Sequence, residues 1–121
     1  MPNTQLPHAH GQMLEHHIEH IPEDESFKTL ADVFKLLGDS SRIRIFWLLC
    51  HCEECVINLS AMVGMSSPAV SHHLKTLKAG NLITSRRSGK EVYYKAADTA
   101  QARLLHHMIE DLVEITCPLN P

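Results

Sequence analysis

The chain has 121 residues, 44% of them hydrophobic and 21% charged, with a formal net charge of −3 at pH 7. This length suits one compact domain that dimerisation would help to stabilise, and the longest apolar run, residues 45–50, is too short to span a bilayer. The acidic balance argues against a general polyanion binder, and residues 1–11 lack the build of a secretory signal, so we expect a protein of the cytoplasm with no membrane partner.

The beginning of the chain is rich in histidine and acidic residues, and prolines and a glycine interrupt it. We therefore predict a mobile His-rich arm over residues 1–22, followed by one folded domain over residues 23–117. Four side chains of the arm would have metal-ligand spacing if the segment were helical: His16, His17, Glu19 and His20. A solvated tail is the simpler interpretation, although such an arm can still deliver a ligand to a site elsewhere.

Two helices are predicted next. The first is capped by Asp24 and ends at Gly38, and its apolar residues follow helical spacing. The second is capped within residues 39–41, and its arginines are expected to stay solvated. The side chains that this helix is expected to turn inward are Ile43, Phe46, Trp47, Leu49 and Cys50. The chain is then expected to turn over residues 52–55.

A short helix, a turn and a second helix are predicted after that point. The short helix stops at Gly64, and Ser66 is well placed to cap the next helix, which runs to Ala79 with Pro68 in its first turn. This is a helix-turn-helix layout. On a helical wheel, Val70, Leu74 and Leu77 fall on one side, and polar residues spread over the other. One face is therefore predicted to pack and the other to contact DNA.

A hairpin and a last helix complete the predicted domain. Residues 82–86 and 91–94 indicate two strands, joined by residues 87–90 with a glycine turn. The last helix is predicted from about Asp98 to Thr116, with an apolar stripe along one side. That stripe comprises Leu105, Met108, Ile109 and Leu112. The predicted fold class is mainly α with a small β-hairpin, a dimeric winged helix-turn-helix.

The predicted recognition helix and hairpin carry most of the basic charge. Six basic residues and one acid lie between Ser67 and Lys95. Major-groove recognition needs short hydrogen-bonding side chains on a helix, flanked by cations that hold phosphates. The residues predicted to contact double-stranded DNA are Ser66, Ser67, Ser71, His72, Lys75, Lys78, Arg86, Arg87 and Lys90. A polar helix face or a charged hairpin alone would be read as merely solvated, but the two in this order favour DNA binding.

The stretch from Leu30 to Tyr94 resembles the ArsR/SmtB family of metalloregulatory repressors. The resemblance covers over half of the chain and is carried above all by Ser71-His72-His73-Leu74 and Val92-Tyr93-Tyr94. It implies a homodimeric repressor that occupies operator DNA, an inverted repeat, and leaves it when an inducer binds, often a metal ion. It also implies that the N-terminal and C-terminal helices form the dimer interface.

Cysteines are the first candidate ligands for such an inducer. The family's thiol box reads roughly Glu-Leu-Cys-Val-Cys-Asp-Leu, and residues 53–59 match it with only one of its two cysteines, because Ile57 replaces the other. Four cysteines could instead supply soft ligands for zinc, cadmium, lead or arsenite: Cys50, Cys52, Cys55 and Cys117. Cys50 is equally well explained as a core residue, since it falls on an apolar face.

A second candidate site lies on the last helix. The family pairs an Asp and a His at the start of this helix with a His and an acid from the other subunit. The matching positions here are Asp98, Ala100, Asp111 and Glu114. Both histidines are lost, unless His107, one turn before Asp111, substitutes. Without that substitution the acidic face is explained by solvation alone.

Three functions therefore remain open from the sequence. The first is a metal-responsive repressor, in which the ligand shifts the dimer toward a form that binds DNA poorly. The second is a repressor that senses persulfide or oxidants through Cys50 and Cys117. The third, a small Cys/His enzyme, ranks far below, because a chain of this length with a helix-turn-helix leaves little room for a catalytic pocket.

Overall fold

The computed structural model describes residues 7, 8, 10 and 21–117, so the predicted arm lies almost entirely outside the described residues. The described elements, in chain order, are α1 (Asp24–Leu36), α2 (Ser40–His51), β1 (Glu54–Cys55), α3 (Val56–Val63), α4 (Ser67–Ala79), β2 (Ile83–Ser88), β3 (Glu91–Ala96) and α5 (Ala100–Thr116). The chain divides after Phe34 into two compact units. In the described ranges, no helix is long and apolar enough to cross a membrane.

The first unit contains most of helix α1. The helix begins where the carbonyl of Glu23 accepts from Ser26 and Phe27, one residue before the predicted cap Asp24. Lys28 and Glu25 form an exposed ion pair with 3.3 Å between Nζ and Oε1. The helix is amphipathic, and none of its side chains is buried. Its exposed large apolar residues are Phe27, Leu30 and Phe34.

Helix α2 passes through the core of the second unit. Asp39 caps it by accepting from the backbone N–H of Arg42 at 3.0 Å, as predicted. Phe46 and Leu49 are buried as expected, but Trp47 is 38% exposed and Ile45 is fully buried in its place. The prediction of an inward Trp47 was wrong because α2 is packed on more than one side, so a single face of the wheel does not define its core.

Arg44 of α2 is exposed as predicted and Arg42 is half-buried, and both donate to the final carbonyls of a helix. The guanidinium of Arg42 donates to the carbonyls of Lys35 and Leu36 at the end of α1. Arg44 donates to the last carbonyls of α3, Met62 and Val63, at 3.3 and 3.4 Å. The final carbonyls of a helix lack partners within it, so these contacts satisfy them and tie α2 to residues 35–36 and to α3.

Helices α3 and α4 form the predicted helix-turn-helix. Helix α3 ends at Gly64, which has a φ of 68° in the left-handed region that glycine tolerates best. Ser66 then caps α4 by accepting from the N–H of Ala69 at 3.3 Å, and proline occupies the first turn. The inner face of α4 is buried through Val70, Leu74 and Leu77, as the wheel predicted.

The predicted hairpin is formed by β2 and β3, and we refer to it as the wing. It is longer than predicted and belongs to a three-stranded antiparallel sheet of order β1-β3-β2. Arg87 and Ser88, expected in the connection, continue β2, so the turn is only Gly89 and Lys90. A two-residue hairpin requires a positive φ, and Gly89 supplies one of 64°. Strand β1, where only a turn was expected, pairs Glu54 and Cys55 with the two tyrosines of β3.

Helix α5 is capped by Thr99, whose hydroxyl accepts from the N–H of Ala102 at 3.1 Å. Leu105 of the predicted stripe is buried and Met108 and Ile109 are half-buried, but Leu112 is exposed. Three more large apolar side chains of α5 are also exposed: Leu104, Val113 and Ile115. Helix α5 therefore packs through one face of its first half, and its uncovered apolar surface comprises Leu104 and side chains of the second half.

Candidate DNA-binding surface and sensor site

The outer face of α4 is free to meet a ligand. Ser71, His72 and Lys75 are all exposed, on the side opposite the buried leucines. Ser66 is exposed as well, but its hydroxyl is engaged in capping α4. The hydroxyl of Ser67 lies 3.2 Å from that of Ser60 on α3. The exposed polar side chains that make no contact in the turn thus lie in the middle of α4, and the two serines before them hold the turn.

The cations of the wing divide into two kinds. Arg87 and Lys90 are exposed near the hairpin tip. Arg86 instead forms a two-bond ion pair with Glu53, with donor–acceptor distances of 3.0 and 2.6 Å, and its guanidinium carbon lies 5.0 Å from the ring centre of Tyr93. The hydrogen bonds from Arg86 hold the pKa of Glu53 below its usual value, and Glu53 raises the pKa of Arg86 in turn.

Lys78 is also less available than predicted. It is exposed on α4, and its ammonium donates to the hydroxyl of Ser85 on β2. Lys78 therefore fastens α4 to the wing, as Arg86 fastens the wing to the segment after α2. Lys75, Arg87 and Lys90 make no ion pair within residues 21–117.

The four cysteines are free thiols in different surroundings. Cys55 is buried, Cys50 and Cys52 are half-buried, and Cys117 is exposed. Burial, with the charge of Glu110, raises the pKa of the Cys50 thiol to about 11. Burial likewise raises the pKa of Cys52, with the charge of Glu54 adding to it. Both thiols are therefore protonated near neutral pH, whereas thiolate is the form that binds metals and attacks oxidants.

The predicted ligands of the last helix are spread along it. Asp98, just before α5, is paired with Arg103. His107, Asp111 and Glu114 are exposed on α5. The site that the family resemblance implies is shared between subunits, so a single chain does not assemble it.

Within the described part of the chain, a different set of side chains converges. His51 at the end of α2 meets His106 and Glu110 of α5, and their ligand atoms all lie within 4.8 Å of one another. No other group of three or more His, Cys, Asp and Glu residues in that part of the chain does so. We refer to His51, His106 and Glu110 as the α2–α5 cluster.

The α2–α5 cluster was missed from sequence, although two of its three residues have a spacing that is visible there. His106 and Glu110 have the i, i+4 spacing that puts two side chains on one helix face. His51 lies 55 residues earlier in the chain, and only the packing of α2 against α5 brings it there. Trp47, one turn before His51, places its ring 4.3 Å from the imidazole.

The exposed polar face of α4 and the basic hairpin beside it define a winged helix-turn-helix DNA-binding protein. Residues 39–85 match the family described as bacterial regulatory protein, arsR family. The transcriptional repressor SmtB homolog of Synechocystis sp. is 32% identical over 114 residues, which cover 94% of this chain and 86% of that protein. The chain therefore belongs to the ArsR family of bacterial transcriptional regulators.

Two further relatives extend this comparison. The arsenical resistance operon repressor of Staphylococcus aureus is 34% identical over 89 residues, covering 74% of this chain and 78% of that protein. A solved homodimeric winged helix-turn-helix DNA-binding domain, Mb0332 from Mycobacterium bovis, is 26% identical with a TM-score of 0.69, covering 80% of this chain and 92% of that one. The predictions of a winged helix-turn-helix fold and of a transcriptional repressor are confirmed.

Proposed function

We propose that this protein is a homodimeric repressor that binds an inverted-repeat operator in double-stranded DNA and releases it when a metal ion binds. The observation that carries the proposal is the uncovered face formed by Ser71, His72 and Lys75 of α4 beside Arg87 and Lys90 of the wing. Short polar side chains on a helix read base edges, and flanking cations neutralise phosphates. The protein acts in the cytoplasm, where its operator lies, and catalyses no reaction.

Exposed apolar side chains support the homodimer. Helix α1 exposes Phe27, Leu30 and Phe34, and the second half of α5 exposes Leu112 and Ile115 among others. A second copy of the chain covers such surfaces in an obligate dimer, where apolar interfaces are the rule. The homodimeric M. bovis domain has the same fold. Because two-fold symmetry of the protein is mirrored in its DNA, the operator is an inverted repeat.

A metal ion is the inducer class that the relatives favour, since one is a repressor of an arsenical resistance operon. The ion belongs to the class of zinc, cadmium, lead or arsenite. A site for the softest of these ions would use Cys50, Cys52, Cys55 or Cys117 as thiolates, so binding there would release the protons that the raised pKa values of Cys50 and Cys52 retain. The same thiol protonation counts against a persulfide switch through Cys50. Imidazole and carboxylate ligands are supported by the convergence of His51, His106 and Glu110.

Gel mobility shift assays can test this function directly. Gel mobility shifts with an inverted-repeat duplex and a scrambled duplex of the same composition measure specific binding. We expect the inverted repeat to bind more tightly, and one of zinc, cadmium, lead or arsenite to release it. Equal affinity for both duplexes would refute operator recognition, and retention of the complex in all four inducers would refute the metal response.

A further inference from the structure

We propose that the α2–α5 cluster, formed by His51, His106 and Glu110 of one subunit, is a binding site for a divalent metal ion of the zinc class. The site differs from the predicted cysteine set and from the predicted set on α5, with which it shares no residue. Its regulatory consequence rests on the proposed function as a metal-responsive repressor. The binding itself does not.

The three ligand atoms already form a triangle of suitable size. Nε2 of His106 lies 3.1 Å from Nε2 of His51 and 2.7 Å from Oε1 of Glu110, and the third side measures 3.2 Å. Zinc binds imidazole nitrogen and carboxylate oxygen at about 2.0–2.2 Å, so tetrahedral ligands are separated by roughly 3.3 Å. Each side of the triangle therefore needs to open by only a few tenths of an ångström.

Hydrogen bonds alone do not satisfy all three contacts. A neutral imidazole Nε2 carries either one proton or one lone pair, and never both. If both histidines donate to Glu110, two N–H groups face each other across 3.1 Å. If only His106 donates to Glu110, Nε2 of His51 carries a lone pair, and this lone pair faces the carboxylate oxygen at 3.2 Å. A cation between the three atoms turns every one of these lone pairs into a ligand.

The surroundings hold the cluster in place and leave it accessible. The side chain of His106 is 22% exposed, whereas those of His51 and Glu110 are 44% and 46% exposed. His51 is packed by the ring of Trp47 on one side and meets the ring of His106 edge-on at 4.8 Å. Both histidines also line a cleft of about 360 Å³ that opens to solvent. Ligands that are held in place lose little freedom when an ion binds.

The ligand types select the ion. Two imidazoles and one carboxylate suit zinc and its neighbours cobalt, nickel and copper, whereas arsenite and lead prefer thiolates. We therefore assign the site to zinc rather than to a thiophilic ion.

The position of His51 connects this site to the DNA-binding surface. His51 is the last residue of α2, and Glu53, two residues later, holds Arg86 of the wing. An ion at the α2–α5 cluster would join the end of α2 to α5, and so act on the segment that anchors the wing. This is a route by which the ion can alter how the wing meets DNA.

Direct titration tests the site. Isothermal titration of the full-length protein with zinc chloride, and the visible absorption of bound Co²⁺, report binding without DNA. We expect Glu110→Gln and His51→Gln, which keep size and polarity, to weaken zinc binding by at least about tenfold, since even outer-shell partners contribute 10–100-fold. Glu91→Gln is the matched control, because Glu91 is an exposed glutamate at the start of β3 and belongs to none of the candidate metal sites.

The outcomes separate the site from the function. The site would be overturned if Glu110→Gln and His51→Gln bind zinc as tightly as the wild-type protein does, with circular dichroism spectra unchanged. If zinc releases Glu110→Gln from the operator at the same zinc concentration that releases the wild-type protein, the regulatory role of the α2–α5 cluster is overturned. The proposal of a metal-responsive repressor would then still stand. Wild-type protein that binds zinc with the predicted ligand dependence, yet holds its operator in every inducer, would retain the site and refute the proposed function.

Discussion

Replacing Lys75 by alanine should change the salt dependence of operator binding by a calculable amount. Lys75, Arg87 and Lys90 are the exposed, unpaired cations of the proposed surface within residues 21–117. Three phosphate contacts in each subunit of a dimer give about six, and each contributes about 0.9 to the slope of log K against log salt concentration. We therefore expect a wild-type slope of about −5, and a slope smaller in magnitude by about 1.8 in Lys75→Ala.

This difference in slope is readily measured. Between 50 and 200 mM salt, the ratio of wild-type to Lys75→Ala affinity should fall about tenfold. Fluorescence anisotropy of an end-labelled operator duplex at four salt concentrations gives both slopes. Lys28→Ala is the control, because Lys28 is an exposed lysine of α1 already paired with Glu25. An unchanged slope in Lys75→Ala, or an equal change in Lys28→Ala, would refute the proposed surface.

Three further predictions concern the wing, the core and the thiols. Arg86→Ala should reduce the salt slope less than Lys75→Ala, because Glu53 already neutralises Arg86; an equal reduction in the same assay would contradict this. Leu74→Ala, at a fully buried position of α4, should lower the free energy of unfolding by about 2–5 kcal/mol in urea titrations, whereas exposed Ile57→Ala should stay within about 0.5 kcal/mol. Because the pKa of Cys50 is raised to about 11, its alkylation should be slow at pH 8 and its rate should rise about tenfold per pH unit until the pH reaches that pKa. Mass spectrometry measures this rate, and a rate that levels off below pH 9 would show an ordinary thiol.

Local sequence signals predicted the helix-turn-helix well. Gly64 acts through Ser60, four residues before it, and Ser66 through Ala69, three residues after it, so the end of α3 and the start of α4 are visible in the sequence itself. The periodicity of α4 likewise separated its buried from its exposed face. Capping and periodicity are local properties, and local properties can be read without knowing the fold.

Features that depend on distant parts of the chain were not predictable. Strand β1 is two residues long and exists only because Glu54 and Cys55 pair with Tyr94 and Tyr93. The pairing of Arg86 with Glu53 spans 33 residues, so the wing appeared from sequence to have one more free cation than it has. The α2–α5 cluster has the same origin, since helix packing brings His51 to α5. The cysteines, three of which lie within residues 50–55, form no group of three or more converging ligands within residues 21–117 of a single chain.

The contact between Trp47 and His51 gives the protein a built-in optical reporter. Trp47 is the single tryptophan of the chain, and its ring centre lies 4.3 Å from that of the imidazole. Its intrinsic emission therefore comes from one place, directly beside a proposed ligand. Ions with unfilled d shells, such as Co²⁺ and Cu²⁺, quench indole emission at this range. Occupancy of the α2–α5 cluster can thus be followed in unlabelled protein, on DNA or free of it.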